Sequence, residues 1–287
     1  MEVNPDDIVR GGDAYVRELL FLGVNRVSMG VQSFDDGMLR WMRRRHDSRA
    51  AYEAFRLLRT AGVENIGIDL IFGVEGMSAE MLRESVVKAL ELRPEHISAY
   101  QLSIDEDSDL AAMVSEGDYV PLSDEECREQ YGLLCRTLGE AGYRHYEVSN
   151  WALPGREAVH NSAYWRRVPY VGLGPGAHSF DGRSRSWNSQ MRGYYGSSAS
   201  GDTTEEGTIP WTREQEILTP QQAAMETLML SLRTARGIDD GYLRREAAPG
   251  AVAELLAEGS LAVTEDGRCR IPEERWFVSD DIISRLV

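Results

Sequence analysis

The sequence predicts an α/β fold followed by a small α+β module, and three observations carry that prediction. Up to about residue 103, strand-like apolar runs alternate with amphipathic helical stretches, the rhythm of a parallel sheet with helical crossovers. Beyond residue 219, helical stripes give way to a hairpin signal at Asp266-Gly267, which suggests a winged-helix-like ending. Between the two lies GSSASGDTTEEGT, small, polar and acidic, a linker's composition.

The elements follow in order. Strands are expected within residues 1–4, 24–32, 65–72 and 96–103. A helix opening at Ser48 places Ala51, Ala54, Phe55 and Leu58 on one face and stops at Gly62, a usual C-terminal cap. The next opens near Ser78, turns Leu82, Val86, Ala89 and Leu90 inward and is closed by Pro94. Ser123 and Glu126 form a capping box ahead of the stripe Cys127, Tyr131, Leu134, Cys135 and Leu138, which assigns both cysteines to the core. Thr219-Pro220 starts a helix with Met225, Leu228, Met229 and Leu232 on one face, ending at Gly237. Strands at 261–264 and 268–271 flank the turn, and a last helix is capped by Ser279. The expected division is a domain over 1–195, a linker over 196–218 and a module over 219–287.

With 287 residues, 42% hydrophobic and 27% charged, the chain can bury an ordinary core. No apolar run is long enough to cross a bilayer and the start has no secretory character, so a cytoplasmic location is expected, with room for peripheral membrane contact. Three scattered cysteines, Cys127, Cys135 and Cys269, fit neither a disulfide framework nor a metal cluster. The net charge of −16 repels phosphate backbones and argues against a nucleic-acid partner, the winged-helix-like ending included.

In parallel β/α architectures the C-terminal ends of strands build the site. Polar residues stand there at Glu2, Asn4, Gln32, Asp69, Gln101 and Ser103. A carboxylate can grip a ribose hydroxyl or an amino group, and amides complete a cage for a zwitterionic nucleoside; equally, Asp69 reads as a satisfied strand-end carboxylate. Arg43, Arg44 and Arg45 could take a carboxylate of such a ligand or a porphyrin propionate, or form a solvated loop. Residues 147–180 hold two histidines, two tryptophans and a glycine-rich loop. His160 in HNSAYW could ligate haem iron while Tyr164 and Trp165 stack on the macrocycle, with a capping or core histidine as the plain alternative. GLGPGAH reads as a structural turn, lacking the lysine of a phosphate loop, and His178 at its end as a second ligand or a turn residue.

Taken in order, GVNRVSMGVQSFDDGMLRWMRRRHD, IGIDLIFGVEG, HISAYQLSIDE, GYRHYEVSNWALPGREAVHNSAYW and YVGLGPGAHSF resemble the oxygen-independent coproporphyrinogen oxidase family of radical S-adenosylmethionine proteins, and within it the HemW branch of haem chaperones. LTPQQAAMETLMLSLRTARGI and WFVSDDIISRLV resemble that family's helical cap. The resemblance implies a partial (β/α)6 radical-SAM barrel missing its first two β/α units, including the segment that binds a [4Fe–4S] cluster. It implies S-adenosylmethionine contacts at Glu2, Gln32, Arg44 and Asp69, and haem contacts at His160, Asn161, Tyr164, Trp165 and His178, with His160 on the iron.

The implied function is haem binding and transfer to haem-accepting proteins. Alternatives are a coproporphyrinogen III oxidase-like enzyme of porphyrin biosynthesis and a cofactor-free interaction fragment. With no cluster cysteines, catalysis by the chain as it stands is not expected, and the implied missing units suggest a truncated gene or fragment.

Overall fold

The computed structural model describes residues 1–189 and 213–287. Contacts divide the chain between Ala158 and Val159, earlier than the boundary expected at residue 195.

The first unit is a six-stranded mixed sheet with helices. Its strands are β1 (Glu2–Val3), β2 (Val27–Gln32), β3 (Ile66–Phe72), β4 (His96–Gln101), β5 (Arg144–Glu147) and β6 (Asn150–Ala152), in spatial order β1-β2-β3-β4-β6-β5. The first four are parallel, and β6 pairs antiparallel with both β4 and β5. Helical crossovers explain this arrangement: α1 (Pro5–Phe21) joins β1 to β2, α2 (Asp36–Trp41) and α3 (Ser48–Ala61) join β2 to β3, and α4 (Ala79–Glu91) joins β3 to β4. After β4 come α5 (Asp109–Glu116) and α6 (Asp124–Glu140), and then the tight β5–β6 hairpin, whose shortness forces antiparallel pairing.

On β3 the alternate residues Ile66, Ile68, Leu70 and Phe72 are all buried on one face of the sheet, while Gly67, Asp69 and Ile71 lie on the other. Local signals set the helix ends. Asp47 caps α3 by accepting from the Ala50 N–H at 2.8 Å, and Gly62 ends it at φ 102°, a left-handed position that suits glycine. Ser78 caps α4, and both bonds of the Ser123–Glu126 capping box are present on α6. Helix α1 was not among the expected elements: Gly11-Gly12 interrupts its pattern, and at Gly12 the backbone leaves helical geometry at φ 62°. Cys127 is buried as expected and Cys135 is half-buried.

The second unit opens with α7 (Val159–Trp165) and an antiparallel sheet of β7 (His178–Phe180), β8 (Ser184–Asn188) and β9 (Arg213–Ile217). Residues 213–217 of the expected linker are thus a strand, registered with β8 from Ser184↔Ile217 to Asn188↔Arg213; residues 190–212 lie outside the described residues. The rest of the unit is α8 (Pro220–Leu232), α9 (Asp240–Glu246), α10 (Ala251–Ala257), α11 (Ser279–Ser284) and a small sheet of β10 (Ile238–Asp239), β11 (Ala262–Val263) and β12 (Arg268–Arg270). Thr219 and Gln222 complete a capping box on α8. That helix ends at Leu232 rather than Gly237, and Ser279 is the first residue of α11, with no side-chain cap.

The boundary falls early because the segment after Ala158 docks on α8. Arg167, at φ 54°, donates to the Ala223 carbonyl and the Thr227 hydroxyl, each at 3.2 Å. Its guanidinium pairs with Glu226 at 3.2 Å, and Glu226 also holds Arg185 of β8. A half-buried carboxylate shared by two arginines ties α7, the β7–β8 ribbon and α8 into one unit.

Candidate functional site

Two groups of residues emerge, one in each unit. In the first, the parallel register carries a polar row across the sheet: Glu2 lies beside Ser28, Gly30 beside Asp69, Asp69 beside Ser98 and Ser98 beside Asn150. Alternate residues share a face, so these polar groups and the small Gly30 and Gly67 line one side of the sheet. Asp69 accepts from the Ser28 hydroxyl at 3.0 Å. Burial pushes its carboxyl above the usual range, while bonds from the Ser98 and Ser28 hydroxyls pull it back and the charge of Glu2 raises it further. Asp69 is therefore a satisfied strand carboxylate as well as a site candidate.

Gln32 ends β2 at φ 69°, where a bulge interrupts the ladder after Gly30. Such a conformation costs a non-glycine residue on the order of 1–2 kcal/mol and is typical of functional positions. The turn brings the Gln32 amide and the Asn4 side chain to Gly30: a Cβ added there would meet Gln32 Nε2 at 2.8 Å and Asn4 Oδ1 at 3.8 Å. Asn4 and Gln32 thus meet at the end of β2, while Asp69 sits mid-strand on β3 and Glu2 lies beside Ser28.

The arginines separate. Arg45 pairs with Asp6 and Asp7 of α1 at 3.2 and 3.5 Å, and Arg43 reaches Asp109 at 3.7 Å. Arg43 and Arg44 both border a groove of about 520 Å³ with Trp41, Met42, Ile71, Leu102, Asp109 and Met113. His46 fixes the loop by bonding the Val31 carbonyl at 3.0 Å, and burial lowers its pKa. Of the three arginines, Arg44 is the one the fold leaves beside a cavity without an ion pair of its own among the described residues.

In the second unit, His160 is exposed on α7 and its ring meets Tyr164 edge-on at 4.7 Å, the neighbour one turn on. Tyr164 in turn meets Tyr170 at 4.7 Å, and Tyr170 bridges to Phe180. Val159, next to His160 in sequence, and Val171 are 77% exposed and Leu173 88%, while a pocket beside Tyr164 is lined by Arg167, Arg185 and Glu226 together with Tyr170, Phe180 and Leu230. Asn161 and Trp165 are half-buried on the same helix.

His178 is an exposed strand residue, paired in register with Trp187 and stacked on it at 5.8 Å. The glycine-rich loop serves this strand: Gly172 passes so close to His178 that a Cβ there would lie 2.1 Å from its carbonyl oxygen, and the Gly172 N–H donates to the Ser179 hydroxyl at 2.9 Å. That contact makes GLGPGAH a structural turn that props the ribbon, as its lack of a lysine suggested.

The cysteines do not make a cluster site. Cys127 and Cys135 stand eight positions apart on α6, Cys127 buried, and Cys269 is buried in the second unit with its thiol pushed up to about 11 by burial. A [4Fe–4S] cluster requires clustered thiolates, and these residues do not fit it.

Missed from the sequence were Ser98, which register sets beside Asp69, Asn150, which it sets beside Ser98, Ser28, which reaches Asp69 by its hydroxyl, and Trp187, whose partnership with His178 depends on the β7–β8 hairpin.

Comparison with known proteins agrees with this fold. Residues 1–89 match the Radical SAM superfamily, and the chain shares the fold of coproporphyrinogen III oxidase (HemN) from Escherichia coli, with a TM-score of 0.76 over 99% of this chain and 68% of that one at 19% identity. The class defined by the sheet is therefore a radical SAM fold. Heme chaperone HemW of Bacillus subtilis is 33% identical over 83% of this chain and 60% of its own length, and that of Mycobacterium tuberculosis is 32% identical over 86% and 63%. The chain is similar to the HemW/HemN-like radical SAM proteins and spans a little over half the length of the curated relatives it matches.

Proposed function

We propose that this chain is the haem-carrying portion of a haem chaperone of the HemW type, which binds haem and passes it to acceptor proteins. The observation that carries the reading is His160, an exposed imidazole standing against Tyr164 on a helix that also exposes Val159. Haem demands both features: neutral imidazole nitrogen suits its iron, and flat apolar and aromatic surface suits its macrocycle. Tyr164 and Trp165 supply ring surface, Asn161 a polar contact at the edge, and His178 on Trp187 a second imidazole. Exposure suits a carrier, because a ligand that must be handed on cannot be sealed inside its donor.

Glu2, Gln32, Arg44 and Asp69 are the residues that would hold S-adenosylmethionine, whose bound form supplies a sulfonium and an adenosyl group. In that reading Arg44 takes the carboxylate, Gln32 presents its amide at the strained strand end, and Glu2 and Asp69 face hydroxyl or amino groups from the sheet.

The test is an anaerobic haem titration followed by visible absorbance, with His160→Ala, His178→Ala and Tyr164→Ala variants. The expected result is stoichiometric binding by the parent chain that weakens at least tenfold in His160→Ala and less in the others. Binding that is unchanged in His160→Ala, or that never saturates, would make His160 structural and sink the proposal.

A further inference from the structure

The pocket beside Tyr164 holds more positive charge than the packing of the second unit uses. Its volume is about 150 Å³, and its walls are the rings of Tyr164, Tyr170 and Phe180 with the side chains of Arg167, Arg185 and Glu226. The turn after α7 supplies Arg167, β8 supplies Arg185 and α8 supplies Glu226. Arg167 is committed to the clamp. Its Nη1 donates to the Ala223 carbonyl and the Thr227 hydroxyl, its Nη2 lies 3.2 Å from Glu226 Oε2, and its guanidinium rests 5.1 Å from the centre of the Phe180 ring. These two side chains, 17% and 12% exposed, balance each other's charge.

Arg185 differs. Its side chain is 39% exposed and engages Glu226 Oε1 through Nη2 alone, which leaves Nε and Nη1 without an acceptor among the described residues. Two guanidiniums therefore share one carboxylate, and one positive charge is left over in the lining. Glu216, the cross-strand neighbour of Arg185, is exposed and borders the adjoining groove rather than this pocket. An arginine already pinned through one nitrogen gives up little more freedom when its remaining donors meet a carboxylate, whose two oxygens match the planar fork.

Size and position select that carboxylate. The pocket is smaller than the roughly 300 Å³ at which cavities take a whole drug-sized ligand, so it suits an arm of a larger one. Its wall residue Tyr164 stands 4.7 Å from His160 and 4.7 Å from Tyr170. A haem laid against Tyr164 carries two carboxylate arms at its rim, and the pocket that shares this ring offers them a cation.

We propose that Arg185 takes a propionate of haem in this pocket, with Arg167 and Glu226 as positioning residues that hold its guanidinium, so that the chain selects tetrapyrroles with free carboxylates. The proposal rests on the haem-carrier reading above. If the pocket held only water, free and esterified macrocycles would bind alike.

The test compares haem with haem dimethyl ester, in which both carboxylates are capped, by anaerobic visible titration of the whole chain. The parent should bind the free acid roughly tenfold more tightly than the ester, the effect of one charge-assisted contact. Arg185→Gln should lower free-acid binding to the level of the ester and leave ester binding unchanged, and Arg185→Lys, which keeps the charge, should retain part of the preference. Since the readout is a ratio within one protein, partial misfolding does not imitate it; if Arg185→Gln does not fold, the parent's ratio and Arg185→Lys carry the test. Equal affinities in the parent, or an Arg185→Gln variant that weakens both forms alike or neither, would overturn the proposal, and the carrier reading would still stand provided His160→Ala loses binding. No saturable binding of either form by the parent would sink the carrier reading and the proposal with it.

Discussion

Single residues set two opposing pH responses in the first unit. His96 has its folded pKa depressed to about 3 by burial, whereas an unfolded histidine titrates near 6.5. Between those values the unfolded chain binds the extra proton, so stability is fully present above about pH 6.5 and is lost as pH falls towards 3. His46, lowered by burial, acts in the same direction. Asp69, raised by burial, acts oppositely: its contribution improves as pH falls through its folded value, because the native state then holds the proton. Replacing His96 by Phe should remove its part of the slope, about 2 kcal/mol between pH 6.5 and 5, measured as the difference in urea midpoints between parent and variant at the two values. An unchanged slope would mean His96 is not held neutral. Gln32 offers a residue-scale test of strain: Gln32→Gly should stabilise the fold by about 1 kcal/mol in the same urea titration, since glycine adopts φ 69° freely, and should weaken any S-adenosylmethionine binding that depends on the amide.

Among the elements, α6 shows how local chemistry and packing divide the work. Ser123 accepts from the Glu126 N–H at 3.3 Å, and the Glu126 carboxylate takes the Ser123 N–H at 2.9 Å, while Cys127, Tyr131, Leu134 and Leu138 are buried along one face. Ser123→Ala should therefore cost about 1 kcal/mol, whereas Leu134→Ala, from the core face, should cost about 2–5 kcal/mol, both read from chemical denaturation. These features were legible in the sequence because a capping box and a helical stripe are contained within one turn or a few. The parallel strands β2, β3 and β4 were legible for the same reason, as apolar runs between helices. Strand β9 was not: its residues, Arg213 to Ile217, are mostly polar and exposed, and its strand character comes from pairing with β8. The early unit boundary was hidden likewise, since it rests on Arg167 and Arg185 meeting Glu226 across long stretches of chain. The candidate site divides along this line. His160 and Tyr164, one helical turn apart, could be read as a pair; the row from Gly30 through Asp69 and Ser98 to Asn150 exists only through register.

At the scale of the whole molecule, the distribution of thiols separates haem carriage from radical chemistry. The proposed S-adenosylmethionine contacts Glu2, Gln32 and Asp69 lie on the sheet and the proposed iron ligand His160 on α7, whereas Cys127 and Cys269 are buried and Cys135 is half-buried 3.8 Å from His145 Nδ1. Cys127 is buried with its thiol raised by burial and by the nearby acidic Asp124 and Glu126, and Cys269 is raised to about 11. Since the thiolate is the form that binds iron, a raised pKa opposes ligation as much as the separation of the residues does. Anaerobic incubation of this chain with ferrous iron and sulfide should therefore yield no stoichiometric cluster absorbance, and Cys127→Ser, Cys135→Ser and Cys269→Ser together should leave the spectrum unchanged. Haem titration of the same triple variant should match the parent, because the proposed iron ligand is His160. A stoichiometric cluster that disappears in the triple variant would show that the cysteines converge in solution. Loss of haem binding in that variant, with His160 intact, would transfer the iron from imidazole to thiolate.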